Sequence, residues 1–337
     1  MTSRERVTRA ITFEDPDRPP RQLWVLPIAT STYPDEYADI ARRWPDDFGY
    51  APWSPPESKR RIGVQTDAGT YIDDWGCEFT NIQAGVIGEV KNPQLTDWST
   101  LNAIEAPWEL VPKPENLTGV NEHCAASDQF IMTSVPTLFE QMQFLRGTEN
   151  LFIDIMERPR ELCELRDKVH EYNMAVARAW LDTDVDAISQ NDDWGTQHAL
   201  LIPPTLWREI FRPCYAEMVH MVKAAGKRFF LHSDGHIFEI YEDLIEIGVD
   251  AVNSQLFCMD IEEIARRYKG CITFWGEICR QHVLPSADPE VARAAVRRVV
   301  DSLYDPAGGV VAQLEFGPGA NPACVDAVFD EWHKLTT

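Results

Sequence analysis

The chain has no lysine- or arginine-rich run, and 54 acidic residues outnumber 31 basic ones for a formal net charge of −23. A field of that sign repels polyanions, so nucleic acid and anionic membrane surfaces are excluded as partners. No apolar run approaches the roughly 18 residues that a membrane span needs. Met1–Glu14 is charged and helical in pattern, unlike a secretory leader, and a cytoplasmic protein is expected. None of the eight cysteines stands in a CxxC pair, so they read as reduced thiols rather than a disulfide framework or a zinc ribbon. Internal repeats and low-complexity linkers are also lacking. Chain length alone suggests two domains at about 100–200 residues each, but the missing linker favours one domain over residues 1–337.

What is present is an alternation of short apolar strands and amphipathic helices from residue 129 onward. Gln129–Val135, Asp186–Gln190, Arg228–His232, Ala251–Ser254, Ile272–Trp275 and Gly309–Glu315 read as strands. Between them, Arg158–Leu181, Pro204–Ala225, Ile237–Ile247, Ile261–Arg267 and Pro289–Tyr304 read as helices, and Cys324–Trp332 as a closing one. Such an alternation means βαβ units and a parallel sheet. At least six strands in this length fit a closed α/β barrel, (β/α)8, with its first strand near Gln22–Leu26. Residues 34–117, rich in Pro, Trp and Asp, read as an irregular N-terminal insertion, with strands at Tyr71–Ile72 and Gly85–Val90.

In such a barrel the chemistry sits just past the C-terminal ends of the strands. Those positions here carry Asp192-Asp193-Trp194, His232-Ser233-Asp234, Asn253-Ser254-Gln255, Trp275-Gly276-Glu277 and Glu315. His232 and Asp234 are two apart at a strand end, so their side chains point the same way. An imidazole and a carboxylate so placed can ligate a divalent metal, with Glu315 or Glu277 completing the shell. They can equally form a general base and its orienting carboxylate, or simply a hydrogen bond that shapes the loop. Adjacent residues leave a strand in opposite directions, so at most one of Asp192 and Asp193 faces the mouth, and the other is free to cap a helix. The reading places His232, Asp234, Asp192 and Glu277 as catalytic residues. Asp193, Trp194, Asn253, Gln255 and Trp275 are substrate contacts, and His232, Asp234 and Glu315 a metal set with zinc first. An equally plain role for Glu277 is an ion pair with Arg280.

These motifs in this order resemble the uroporphyrinogen decarboxylase superfamily. The resemblance rests on Thr2–Pro20, Asp192–Gly195, His232–Gly235 followed by Asp243–Asn253, and Gly276-Glu277-Ile278 with Leu284-Pro285. It implies a (β/α)8 barrel and offers two activities. One branch decarboxylates uroporphyrinogen without a cofactor, using an arginine-bearing loop. This chain has Arg21-Gln22-Leu23-Trp24-Val25-Leu26 there and lacks that loop's second arginine. The other branch comprises corrinoid-linked methyltransferases, which hold zinc by His-x-Cys and a later Cys. The resemblance maps the histidine to His232, the first cysteine to Asp234 and the later one near Glu315, a harder donor set.

The resulting expectation is a methyltransferase-like or demethylase-like enzyme acting on a small methylated or methoxylated molecule. Any corrinoid would come on a partner protein, since the chain has no Asp-x-His-x-x-Gly motif of its own. A cofactor-free decarboxylase or lyase acting on a non-porphyrin molecule is the rival. A non-catalytic binding barrel is the third reading.

Overall fold

The computed structural model describes residues 1–337. Eight parallel strands form a nearly closed barrel: β1 (Arg21–Val25), β2 (Phe48–Tyr50), β3 (Phe130–Val135), β4 (Ala187–Asn191), β5 (Arg228–Ser233), β6 (Ala251–Ser254), β7 (Thr273–Trp275) and β8 (Val310–Phe316). Strands adjacent in sequence pair in parallel from β2 to β8, and β8 pairs with β1. The helices lie outside. This is the (β/α)8 architecture that the alternation predicts.

The seam between β1 and β2 is closed by side chains as much as by backbone. Asp47 N–H donates to Arg21 O at 2.9 Å, while the Asp46 and Asp47 carboxylates accept from Leu23 N and Arg21 N at 2.8 and 2.7 Å. Asp47 is only 1% exposed and also accepts from Arg6 and Arg18. It thereby ties the seam to the N-terminal helix α1 (Ser3–Thr12). That helix starts with a capping box, Thr2 and Glu5 satisfying each other's backbone N–H. Its Val7 and Ile11 plug the barrel floor beneath Phe48, Phe130, Phe230 and Trp275. Each such buried side chain contributes about 1.5–3 kcal/mol.

Three details depart from the sequence reading. The second barrel strand, β2, lies inside the stretch expected to be insertion. So does a ten-residue helix, Pro34–Arg43, with proline in its first turn. The rest of that stretch carries a small antiparallel sheet of Gly69–Ile72, Glu78–Asn81 and Glu89–Asn92. The helix expected over Pro204–Ala225 is two, Pro204–Ile210 and Arg212–Ala224. Pro213 lacks the N–H that would carry the first helix through Phe211. No helix is long and apolar enough to cross a membrane.

Candidate active site

Side chains alternate between barrel lumen and helix layer, and the register fixes which ones point inward. Phe230 packs in the lumen, so His232, two residues on, points inward above it. Its neighbours in register are Asn191 on β4 and Asn253 on β6. Trp24 of β1 and Glu315 of β8 are likewise in register at this upper level. The Trp24 ring lies edge-on to the His232 ring, 5.2 Å between centroids, and to Trp275 below it.

His232 is held by its far nitrogen. Asn253 donates through Nδ2 to Trp275 O and to Gln313 Oε1. Because a carbonyl oxygen cannot donate, the Asn253 Oδ1 is the atom left to face the imidazole, and His232 Nδ1 donates to it at 2.6 Å. The neutral ring therefore carries its proton on Nδ1 and presents the Nε2 lone pair to the mouth. Two carboxylate oxygens stand 3.6 Å from that nitrogen, Asp193 Oδ1 and Asp234 Oδ1. One donor atom from each of Asp193, His232 and Asp234 falls within 4.8 Å of the others. Asp234 Oδ1 is buried with no hydrogen-bond partner.

Arg280, in the loop after β7, spans three carboxylates, Asp234 among them. It contacts Asp234 through Nη2, Glu315 Oε1 through Nη1 at 3.1 Å, and Glu277 Oε1 through Nε at 3.7 Å. Burial works against its charge, but Glu277, Asp234 and Glu315 hold the guanidinium more firmly protonated than usual. Glu277 is 2% exposed, and burial pushes its carboxyl up to about 8. Its Oε2 has no partner. Glu140, which starts the helix after β3, also reaches this mouth. Burial, then Asp193, Asp192 and Asp234, drive its carboxyl far above the ordinary range. Burial and the Asp234 charge raise Asp193 as well. An open cavity of about 380 Å³ flanks Arg280, Glu315, Gly317 and Pro318.

The donor set differs from the one expected. Glu315 is engaged by Arg280, and the third group that could join His232 and Asp234 at an ion is Asp193. Asp192 faces away from the mouth and is fully buried. It accepts from Leu138, Phe139 and Glu140 N–H and from Tyr215 Oη, between 2.6 and 3.0 Å, capping the helix Phe139–Arg146. Burial still raises its carboxyl to about 6. The hydrogen bonds of this carboxylate are those of a helix cap, and none of them reaches the side chain of His232 or Asp234.

Trp194 is fully buried, stacked on Phe139 at 4.0 Å, with its N–H on Tyr215 Oη. That is core packing, not a substrate contact. Trp275 forms the floor of the site, its N–H donating to Gln22 Oε1. Asn253 is fully buried and works on His232 rather than on substrate. Gln255 accepts from Gly235 N–H and lines a small cleft with Cys258, Cys279 and Glu277. All eight cysteines are unpaired. Sequence reasoning did not single out Trp24, which lies at the end of β1 where the strand-end rule applies, or Glu140, which lies in the first turn of the helix after β3 and so outside that rule.

The sequence model of the uroporphyrinogen decarboxylase (URO-D) family matches residues 131–335. No curated protein matches the chain. Among solved structures, a methyltransferase from Methanosarcina mazei superimposes with a TM-score of 0.73 at 13% identity, covering 100% of both chains. A D-psicose 3-epimerase from Clostridium cellulolyticum H10 gives a TM-score of 0.41 at 12% identity, over 71% of this chain and 86% of that one. The first likeness shows the shared fold; the second is too low to carry an argument. With more than half of its length matched by one family and the barrel and strand-end motifs in place, the chain belongs to the uroporphyrinogen decarboxylase family.

Proposed function

We propose that the chain is a methyltransferase-like or demethylase-like enzyme of this family. Its substrate is a small methylated or methoxylated molecule, worked on at a divalent metal held by Asp193, His232 and Asp234. The observation that carries the reading is the His232 Nε2 lone pair set between two carboxylate oxygens, one of them buried and unpartnered. One imidazole and two carboxylates suit zinc, manganese or iron, and three protein donors leave coordination positions open. A divalent ion held there supplies Lewis acidity to a substrate oxygen or thiol.

The chain's own residues divide the rest. Asn253 fixes the His232 tautomer, Trp24 gives the mouth an apolar wall beside it, and Glu277, which keeps its proton through neutral pH, offers an acid at Oε2. The methyl carrier, a corrinoid in this reading, is left to a partner protein. Uroporphyrinogen is not the substrate proposed. Arg21, the arginine remaining in the β1 stretch, turns out of the lumen and lies over the Trp44 ring at 5.0 Å. The mouth is also acidic.

The rival proton-transfer reading uses the same imidazole, since Nε2 between two carboxylates also suits a proton carrier. A non-catalytic barrel fits less well, because burying carboxylate oxygens without a partner, as at Asp234 Oδ1 and Glu277 Oε2, is costly without a use. The test is to reload chelator-free protein with zinc, manganese or iron and follow methyl loss from methylated and methoxylated compounds by NMR, with a corrinoid acceptor added. Turnover that disappears in His232→Ala is expected. Decarboxylation or proton exchange independent of added metal, with no methyl loss, would replace this reading by the rival.

A further inference from the structure

We propose that Arg280 is the residue that keeps the metal site open. It engages Glu315 and one oxygen of Asp234, so that an ion at Asp193, His232 and Asp234 meets three protein donors rather than four or five. This rests on the metal reading above.

The geometry assigns the role atom by atom. Asp234 is divided: Oδ1 faces His232 Nε2 at 3.6 Å, while Oδ2 is bound by Arg280 Nη2. The same guanidinium holds Glu315 Oε1 through Nη1 at 3.1 Å. Asp234 follows β5 and Glu315 ends β8, so the planar fork of Arg280 works as a spacer between two carboxylates that would otherwise both be free to approach a cation. Glu315 is only 12% exposed and lies tight against Gly317, where even a methyl group would come within 2.8 Å of its Oε1. Arg280 itself is mostly buried, its side chain 22% exposed, and it faces carboxylates from three separate strand ends.

A closed four-donor shell is what structural metal sites have, whereas catalytic sites keep a position for water or substrate. In a mouth this rich in carboxylates, excess donors are the hazard, because each further carboxylate binds the ion more tightly and fills a position that chemistry needs. A resident cation on the surplus carboxylates limits the donor count without removing their charge. Lysine cannot do this in the same way, since an ammonium does not present the two-sided planar fork.

Arg280→Met keeps an unbranched apolar stem and removes the fork. Manganese or zinc binding to the metal-free protein, measured by calorimetry, should tighten at least tenfold in Arg280→Met. In Arg280→Met/Glu315→Gln it should fall back to within about twofold of wild type. Glu315→Gln alone, which needs no cavity or lost cation to be tolerated, should leave the wild-type affinity within twofold. Manganese EPR should show fewer bound waters in Arg280→Met than in wild type. Unchanged affinity in Arg280→Met, tightening that persists in the double variant, or a large loss in Glu315→Gln overturns the proposal while leaving the metal reading standing. Binding absent from every form, wild type included, overturns both.

Discussion

Asn253 shows how much a site depends on a fully buried side chain behind it. It spends its two donors on Trp275 O and Gln313 Oε1, which leaves one acceptor to set the His232 tautomer. Outer partners of this kind are worth about ten- to a hundredfold in metal affinity. Asn253→Ala should weaken ion binding by that factor in calorimetry while the far-ultraviolet circular dichroism stays native. Glu277 gives a second residue-level prediction. Its carboxyl ionises near 4.5 when unfolded and near 8 when folded, burial being the first cause. The folded state therefore binds more protons between those values, and stability falls as pH rises through that window. Denaturant midpoints should decline from about pH 4.5 to 8 in wild type, and Glu277→Gln, a mimic of the protonated acid, should flatten that decline. An unchanged slope in the variant would mean that Glu277 is already ionised at neutral pH.

At the level of elements, the strands from β3 onward are legible in the sequence to within a residue or two. Each is an apolar run followed by polar strand-end residues. β2 is not, because Phe48-Gly49-Tyr50 is too short to show a period, and its pairing with β1 runs through the Asp46 and Asp47 side chains. The helix Pro34–Arg43 did carry a signal, with Pro34 at its start, Asp35 and Glu36 in the first turn and Arg42 and Arg43 in the last. The density of Pro, Trp and Asp around it hid that pattern. The same limit governs the site. That only one of Asp192 and Asp193 faces the lumen follows from alternation, but which one depends on the register of Asn191 with His232, a pairing the sequence does not show. The Glu315–Arg280 contact likewise depends on the loop after Trp275. Asp47 makes the element-scale test: its carboxylate serves Arg6, Arg18, Ser3 and the β1 backbone together. Asp47→Ala leaves the partly buried Arg18 without its anion and Arg6 with Asp17 alone, and should cost about 3–5 kcal/mol, read from chemical unfolding. A loss below about 1 kcal/mol would mean that the β1–β2 seam closes without it.

Across the whole molecule, the net charge of −23 and the mouth share one sign. Asp193, Asp234, Glu140, Glu277 and Glu315 converge there on a single histidine and a single arginine. Such a field draws cations toward the barrel mouth and keeps polyanions away. Elemental analysis of protein purified without chelators asks directly whether Asp193, His232 and Asp234 hold a divalent ion. Close to one equivalent of a divalent transition metal is predicted in wild type, and little in His232→Ala or Asp193→Asn of native fold. A wild-type protein that carries no stoichiometric metal and takes up none from zinc, manganese or iron would contradict the account.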